Sequence, residues 1–182
     1  MSIVAIVASP RKGNSNAIVG AMTDAAKKNG KDVKIYYLNK LSNAKGCQAC
    51  MGCKKSVGCV VKDDHAEILN EMRKAEGVIL STPDYFGEAC GQFRLFQDRF
   101  YSFLGAGMAS NIDPGKKLAV VVSCGGGVDG AKALADKLEK SMVNYFKFVS
   151  VGKMVFTGGN APDEASKNKA ILDEAAAIGK KL

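Results

Sequence analysis

Four cysteines, Cys47, Cys50, Cys53 and Cys59, fall within thirteen residues of Gly46-Cys47-Gln48-Ala49-Cys50-Met51-Gly52-Cys53-Lys54-Lys55-Ser56-Val57-Gly58-Cys59. Thiolates spaced C-x2-C-x2-C-x5-C are ligands for a soft metal centre, and the mostly small residues between them let the backbone turn closely around sulfur. Zinc sites of four cysteines usually use two separated C-x2-C knuckles, whereas C-x2-C-x2-C is typical of iron–sulfur ligation. The fourth cysteine follows after five residues and precedes Val60, and there is no second cysteine set. All four thiolates would therefore hold one [4Fe–4S] cluster. A zinc site, disulfides and four reduced thiols are the alternatives that spacing alone leaves open.

A second group of chemistry-bearing residues lies in loops that follow apolar runs. Ser9-Pro10-Arg11-Lys12-Gly13-Asn14-Ser15-Asn16 joins the run Ile3 to Ala8 to a helical pattern, with Ser15 as the expected N-cap. Hydroxyls, glycine and two cations at a helix N-terminus suit an anion such as phosphate, although an ordinary capped turn looks the same. Thr82-Pro83-Asp84-Tyr85-Phe86-Gly87 offers two aromatic rings and backbone groups to a planar ligand. Gly125-Gly126-Gly127-Val128-Asp129-Gly130 formally contains G-x-G-x-x-G, but the next apolar run ends without the acidic residue that would hold ribose hydroxyls. It reads instead as a ligand-lining loop. The single His65 and the lack of C-x5-R argue against a histidine-metal hydrolase and a thiol phosphatase, and no side chain is assigned a catalytic role.

These loops must be positioned by alternating strands and helices. Strands are expected at Ile3–Ala8, Lys31–Leu38, Gly77–Ser81, Lys117–Cys124 and about Phe146–Thr157. The helix after Ser15 carries Ile18, Met22 and Ala25 or Ala26 on one face and stops at Asn29-Gly30. The next is capped at Asp63-Asp64, Asp64 and Glu67 resembling a capping box, with Ile68, Leu69, Met72 and Ala75 as its stripe. A long aromatic helix is expected over about Gly91–Leu104, with others over about Lys132–Asn144 and Pro162–Lys180. Five strands alternating with helices predict an α/β fold with a doubly wound five-stranded parallel sheet. Ligand loops after the first, third and fourth strands select the flavodoxin-like order 2-1-3-4-5 over a Rossmann domain.

Composition agrees with one domain over 1–182, carrying a cysteine-rich loop at about 44–62: 47% of the 182 residues are hydrophobic and 24% charged. No apolar run is long enough for a bilayer, and the N-terminal run lacks the basic flank of a signal peptide, so a cytoplasmic protein without membrane contact is expected. Free thiols suit that reducing compartment. The net charge of +8 is concentrated at the start, where residues 1–46 hold eight Lys/Arg and two Asp/Glu. Such a surface favours nucleotide phosphates or acidic electron-transfer proteins; without basic–aromatic interleaving, nucleic acid is not expected.

Ser9-Pro10-Arg11-x-x-Asn14-Ser15, Thr82-Pro83-x-Tyr85-Phe86-Gly87, Asp98-Arg99 and the four-cysteine run together resemble the iron–sulfur flavoprotein branch of the NADPH-dependent FMN reductase family. The likeness spans nearly the whole chain. It implies FMN, with its phosphate on Ser9, Arg11, Asn14, Ser15 and Asn16. The isoalloxazine ring would lie against Pro83, Asp84, Tyr85, Phe86 and Gly87 and against Ser123, Cys124, Gly125 and Gly126. It also implies a homodimer or homotetramer, with the cluster of one subunit near the flavin of a neighbour. Asp84 departs from the apolar residue more usual in relatives, and Cys124 beside the ring is also unusual.

The expected activity is an FMN-containing oxidoreductase with a [4Fe–4S] cluster, moving electrons from a ferredoxin-like carrier or NAD(P)H to a small acceptor. Lys45, Lys54 and Lys55 flank the cysteines and could favour cluster reduction or attract an acidic donor, or be solvated loop lysines. The alternatives are an NAD(P)H-dependent FMN or quinone reductase without a functional cluster, and a non-enzymatic electron carrier.

Overall fold

The computed structural model describes residues 2–182. In chain order the elements are β1 (Ser2–Val7), α1 (Asn14–Lys28), β2 (Asp32–Tyr37), α2 (Asp64–Lys74), β3 (Gly77–Tyr85), β4 (Glu88–Ala89), α3 (Gly91–Asp98), β5 (Lys117–Cys124), α4 (Val128–Phe146), β6 (Val149–Thr157), α5 (Glu164–Lys167) and α6 (Lys169–Gly179). Parallel strands run in the order β2-β1-β3-β5-β6, and β4 pairs antiparallel with the end of β3. With the two-residue β4 set aside, this is the flavodoxin-like order read from the sequence.

The alternation of strand side chains builds two cores. Val4, Ile6, Val78, Leu80, Leu118, Val120 and Val122 face α2, α3 and α4. Ile3, Ala5, Val7, Ile79, Ala119 and Val121 face α1 and α6. Central strands buried on both faces need apolar residues at every position, which is why they read as unbroken runs. Among the described residues, no helix is long and apolar enough to cross a membrane.

Several boundaries differ from the sequence reading. Gly13, not Ser15, occupies the cap position of α1, which starts at Asn14. Asp63 caps α2, accepting from Ala66 N at 3.0 Å, so the Asp64–Glu67 capping box is not formed. Asp64 Oδ2 instead takes Ser42 N and Asn43 N at 3.1 and 3.0 Å. β3 continues through Pro83 to Tyr85 and turns at Phe86-Gly87. Both turn residues have positive φ, 57° and 79°, as a tight two-residue hairpin requires. The aromatic helix ends at Asp98 and tightens into a 3-10 turn over Arg99–Phe103. Phe93, Phe96, Phe100 and Phe103 of this segment are buried in the core. α4 starts four residues earlier than expected, and Asn168 divides the last helix by capping α6.

Candidate functional site

The carboxyl ends of β1, β3 and β5 enclose a pocket lined by Ser9, Arg11, Asn14, Ser15, Pro83, Asp84, Tyr85, Ser123, Cys124, Gly125 and Gly159. Three loops that the sequence marked separately thus form one wall. Ser15 and Ser123 join α1 to β5 through hydroxyls 2.7 Å apart. Ser9 Oγ donates to Arg11 O at 3.0 Å, and Arg11 Nη2 donates to Asn160 O at 3.2 Å. Gly126 N donates to Cys124 Sγ at 3.2 Å. The first-turn N–H groups of α1 have no partner within the helix, so its N-terminus favours an anion.

Asn14 is held by the far end of the chain. Its Nδ2 donates to Gly159 O at 3.2 Å and Ala161 O at 2.8 Å, and its Oδ1 accepts from Ala165 N at 2.9 Å. The side chain fixes the wall behind the phosphate-type loop. Asn16 turns to an adjoining depression with Pro10, Lys12 and Asn39. Phe86 stands fully exposed at the hairpin tip, and neither it nor Gly87 or Gly126 lines the pocket. Gly159 and Asn160 were missed in the sequence. The signal was there, because Gly158-Gly159-Asn160 also follows a strand whose end faces the same crevice.

A side chain at Gly125 would strike Asn160 Oδ1, its Cβ standing 2.4 Å away, so only glycine lets that wall close. One observation suits this pocket to a ligand with an N–H donor. Asp84 is 8% exposed, and its buried Oδ1 has no hydrogen-bond partner among the described residues. An orphaned acceptor in a ligand pocket is satisfied by a ligand N–H donor, and an isoalloxazine carries one. A larger open groove between α3 and α4, lined by Asp136, Lys137, Lys140 and Asn144, carries charges of which two are already paired, in Asp136–Lys153 and Lys137–Glu88. Size alone does not mark the site.

The four marked cysteines line a separate cavity with Met51, Val61, Arg99, Tyr101 and Ser102. Cys47 and Cys50 are exposed, Cys53 is buried and Cys59 is half-buried, all as free thiols. Ala49 and Met51 adopt left-handed φ of 50° and 60°, curling the loop, and Gly52 admits Val60, whose Cγ2 lies 2.4 Å from where a Cβ would stand. Among the described residues, no three His, Cys, Asp or Glu side chains are grouped closely enough for a single metal ion.

Both flanks of this loop are clamped. Arg99 and Asp63 form an ion pair with side chains 1% exposed, at 2.7 Å. Arg99 also donates to Lys45 O at 2.8 Å and Cys59 Sγ at 3.1 Å, while Asp63 Oδ2 accepts from Lys45 N at 3.2 Å. Burial pushes the Asp63 carboxyl up, but hydrogen bonds from Arg99, Ala66 N and Lys45 N outweigh it and hold its pKa below the usual range. Burial likewise opposes the Arg99 charge, and its bonds to Asp63 and Cys59 raise its pKa in spite of this. His65, against Phe96 and 3.1 Å from Lys45 O, has its pKa lowered mainly by burial. Lys54 is not a solvated lysine: its Nζ donates to Tyr101 O at 3.0 Å and Leu104 O at 2.5 Å, 3.6 Å from the centre of the Tyr101 ring.

Comparison with known proteins places this geometry. An iron–sulfur flavoprotein of Methanosarcina thermophila is 30% identical over 162 residues, covering 88% of this chain and 79% of that one. A second iron–sulfur flavoprotein, from Methanocaldococcus jannaschii, is 28% identical over 197 residues, covering 100% of this chain and 95% of its own. Among solved structures, the NAD(P)H:quinone oxidoreductase from Methanothermobacter marburgensis superposes with a TM-score of 0.72 at 17% identity, covering 100% of this chain and 96% of that one. The azoreductase AzrA gives 0.73 at 18% identity, covering 100% of both chains. Those likenesses carry the fold. Residues 1–163 match the NADPH-dependent FMN reductase family. The chain is a flavin-dependent oxidoreductase belonging to that family, in its iron–sulfur flavoprotein branch.

Proposed function

We propose that the protein binds FMN in the strand-end pocket and a [4Fe–4S] cluster on Cys47, Cys50, Cys53 and Cys59, and carries electrons from a reduced carrier or NAD(P)H to a small acceptor. The observation that carries the reading is that all four cysteines of the C-x2-C-x2-C-x5-C run line one cavity. That spacing is typical of iron–sulfur and not of zinc ligation. When bound, FMN supplies two-electron chemistry and the cluster one-electron chemistry, so together they match a hydride donor or a single-electron carrier to either kind of acceptor.

The chain's own contribution is binding and orientation. Arg11, with Ser9, Ser15 and the α1 N-terminus, would hold the phosphate; Asn14 would fix the wall behind it. Pro83, Tyr85, Ser123 and Gly125 would place the ring, and Asp84 would accept its N–H. Lys45 and Lys55 remain exposed cations beside the cysteines, able to attract an acidic carrier. The reading includes a cytoplasmic homo-oligomer in which the exposed Met51 and Tyr85 side chains are covered by a second copy.

Anaerobic purification with iron, sulfide and flavin analysis tests both cofactors. Stopped-flow reduction then separates the donors. Replacing Cys50 and Cys53 by serine should abolish one-electron delivery from a ferredoxin-like protein while FMN stays bound. Any direct reduction by NAD(P)H should survive, because it needs only the flavin. Unchanged rates with both donors would favour a flavin-only reductase.

A further inference from the structure

The wall behind the cysteine cavity holds more positive charge than its own carboxylates balance. Arg99 is 1% exposed, and its two terminal nitrogens contact Asp63 Oδ2 at 2.7 Å, Asp63 Oδ1 at 3.0 Å, Lys45 O at 2.8 Å, Val61 O at 3.4 Å and Cys59 Sγ at 3.1 Å. Half-buried Arg73 donates at 2.8 Å to both Asn111 O and Asn111 Oδ1, and also to Ser102 O, with no carboxylate in ion-pair range among the described residues. Two guanidiniums thus stand behind the loop against one buried carboxylate. Ser102 is 3% exposed and lines the cavity, yet its buried Oγ has no partner among the described residues.

A half-buried cation without a carboxylate partner and an orphaned buried donor both favour an anionic group beside them. A cluster held by four thiolates is such a group, and its negative charge grows by one on reduction. Hydrogen bonds to its sulfurs and nearby positive charge therefore favour the reduced form. We propose that Arg99 and Ser102 are positioning residues that raise the reduction potential of the cysteine-bound centre, Arg99 through Cys59 and Ser102 by donating into the cavity, with Asp63 opposing them. The inference rests on the cluster reading above. It adds an assignment of which side chains set the driving force and in which direction each acts.

The test uses the full chain, reconstituted anaerobically with ferrous iron and sulfide, in wild type, Ser102→Ala, Asp63→Asn and Arg99→Gln/Asp63→Asn forms. Iron and sulfide are counted, and the midpoint potential is read by titration followed by electron paramagnetic resonance. Ser102→Ala removes one hydroxyl and should keep its metal while its potential falls. Asp63→Asn removes the opposing charge and should raise the potential. The double variant should fall below Asp63→Asn by at least a tenfold change in the one-electron equilibrium, about 59 mV. A purely structural role would not move the potential in opposite directions. Potentials that stay at the wild-type value with full iron and sulfide would overturn the inference. A wild type that takes up neither iron nor sulfide would overturn the cluster reading, and the inference with it.

Discussion

Asp84 holds a carboxyl that nothing among the described residues pairs with: Oδ1 is buried without a partner, and a Cβ on Gly130 at the start of α4 would stand 3.3 Å from Oδ2. A carboxylate beside a flavin opposes the negative charge that the ring gains on reduction, at a cost of about 1–3 kcal/mol for charges several ångströms apart in a partly screened site. Asp84→Asn should therefore raise the flavin potential, which spectroelectrochemistry of the FMN-loaded protein measures; an unchanged or lower potential would place the carboxylate away from the ring. Asp63 makes a prediction about pH. Its pKa in the folded chain is depressed, so its stabilisation is whole above the unfolded value of about 3.9 and is lost as pH falls through the folded value. Asp63→Asn should cost about 3–5 kcal/mol at pH 7, because it leaves Arg99 buried without its counter-charge, and progressively less as pH falls through the depressed folded value. Urea unfolding of both proteins over a descending pH series checks this. Asp84 was legible in the sequence because it sits three residues beyond the apolar run that ends at Ser81. Arg99 was not legible as a clamp, since it reaches Lys45, Cys59 and Asp63 across 54, 40 and 36 residues.

The elements that set the pocket depend on close contacts that substitution should expose. α6 lies so near α1 that a Cβ on Gly179 would stand 2.2 Å from Met22 O, a backbone atom that cannot swing away. Gly179→Ala should lower stability by about 1–3 kcal/mol and also weaken FMN binding, because α1 presents the phosphate loop. Calorimetry and a flavin titration separate the two effects, and unaltered FMN affinity would show that the loop tolerates a displaced helix. Helix and strand types were readable from periodicity, but some of their ends were not. Phe93, Phe96, Phe100 and Phe103 recur at spacings that suit both an α-helix and the 3-10 turn that replaces it after Asp98. Pro83 looked like a strand terminator. It continues β3 because pairing with β1 stops at Ser81, while pairing with β5 runs on to Pro83 opposite Ser123, so one side of the strand asks for no ladder bond.

For the whole molecule, the strand order was legible because each parallel crossover leaves a helix between two apolar runs. The pocket was legible in the three loops that line it. Gly159 and Asn160 also follow a strand, but their bonds to Asn14 and Arg11 span 145 and 149 residues, and no local pattern carries such a pairing. The charge of +8 predicts how the molecule meets its donors. Reduction by an acidic carrier protein should slow as salt rises from about 0.01 to 0.5 M, whereas hydride transfer from saturating NAD(P)H should change little, because steering acts on encounter. Stopped-flow traces at the two salt concentrations check it; equal sensitivity would remove charge steering from the account. The bonds from Asn14 to Gly159, Ala161 and Ala165 also have a consequence for how the protein is made. Synthesis runs from β1 outwards, so a chain still on the ribosome displays its anion-binding loop long before the segment that braces it exists. The strand-end pocket closes last, and under the proposed FMN site an interrupted chain that stops after β5 would not sequester the cofactor.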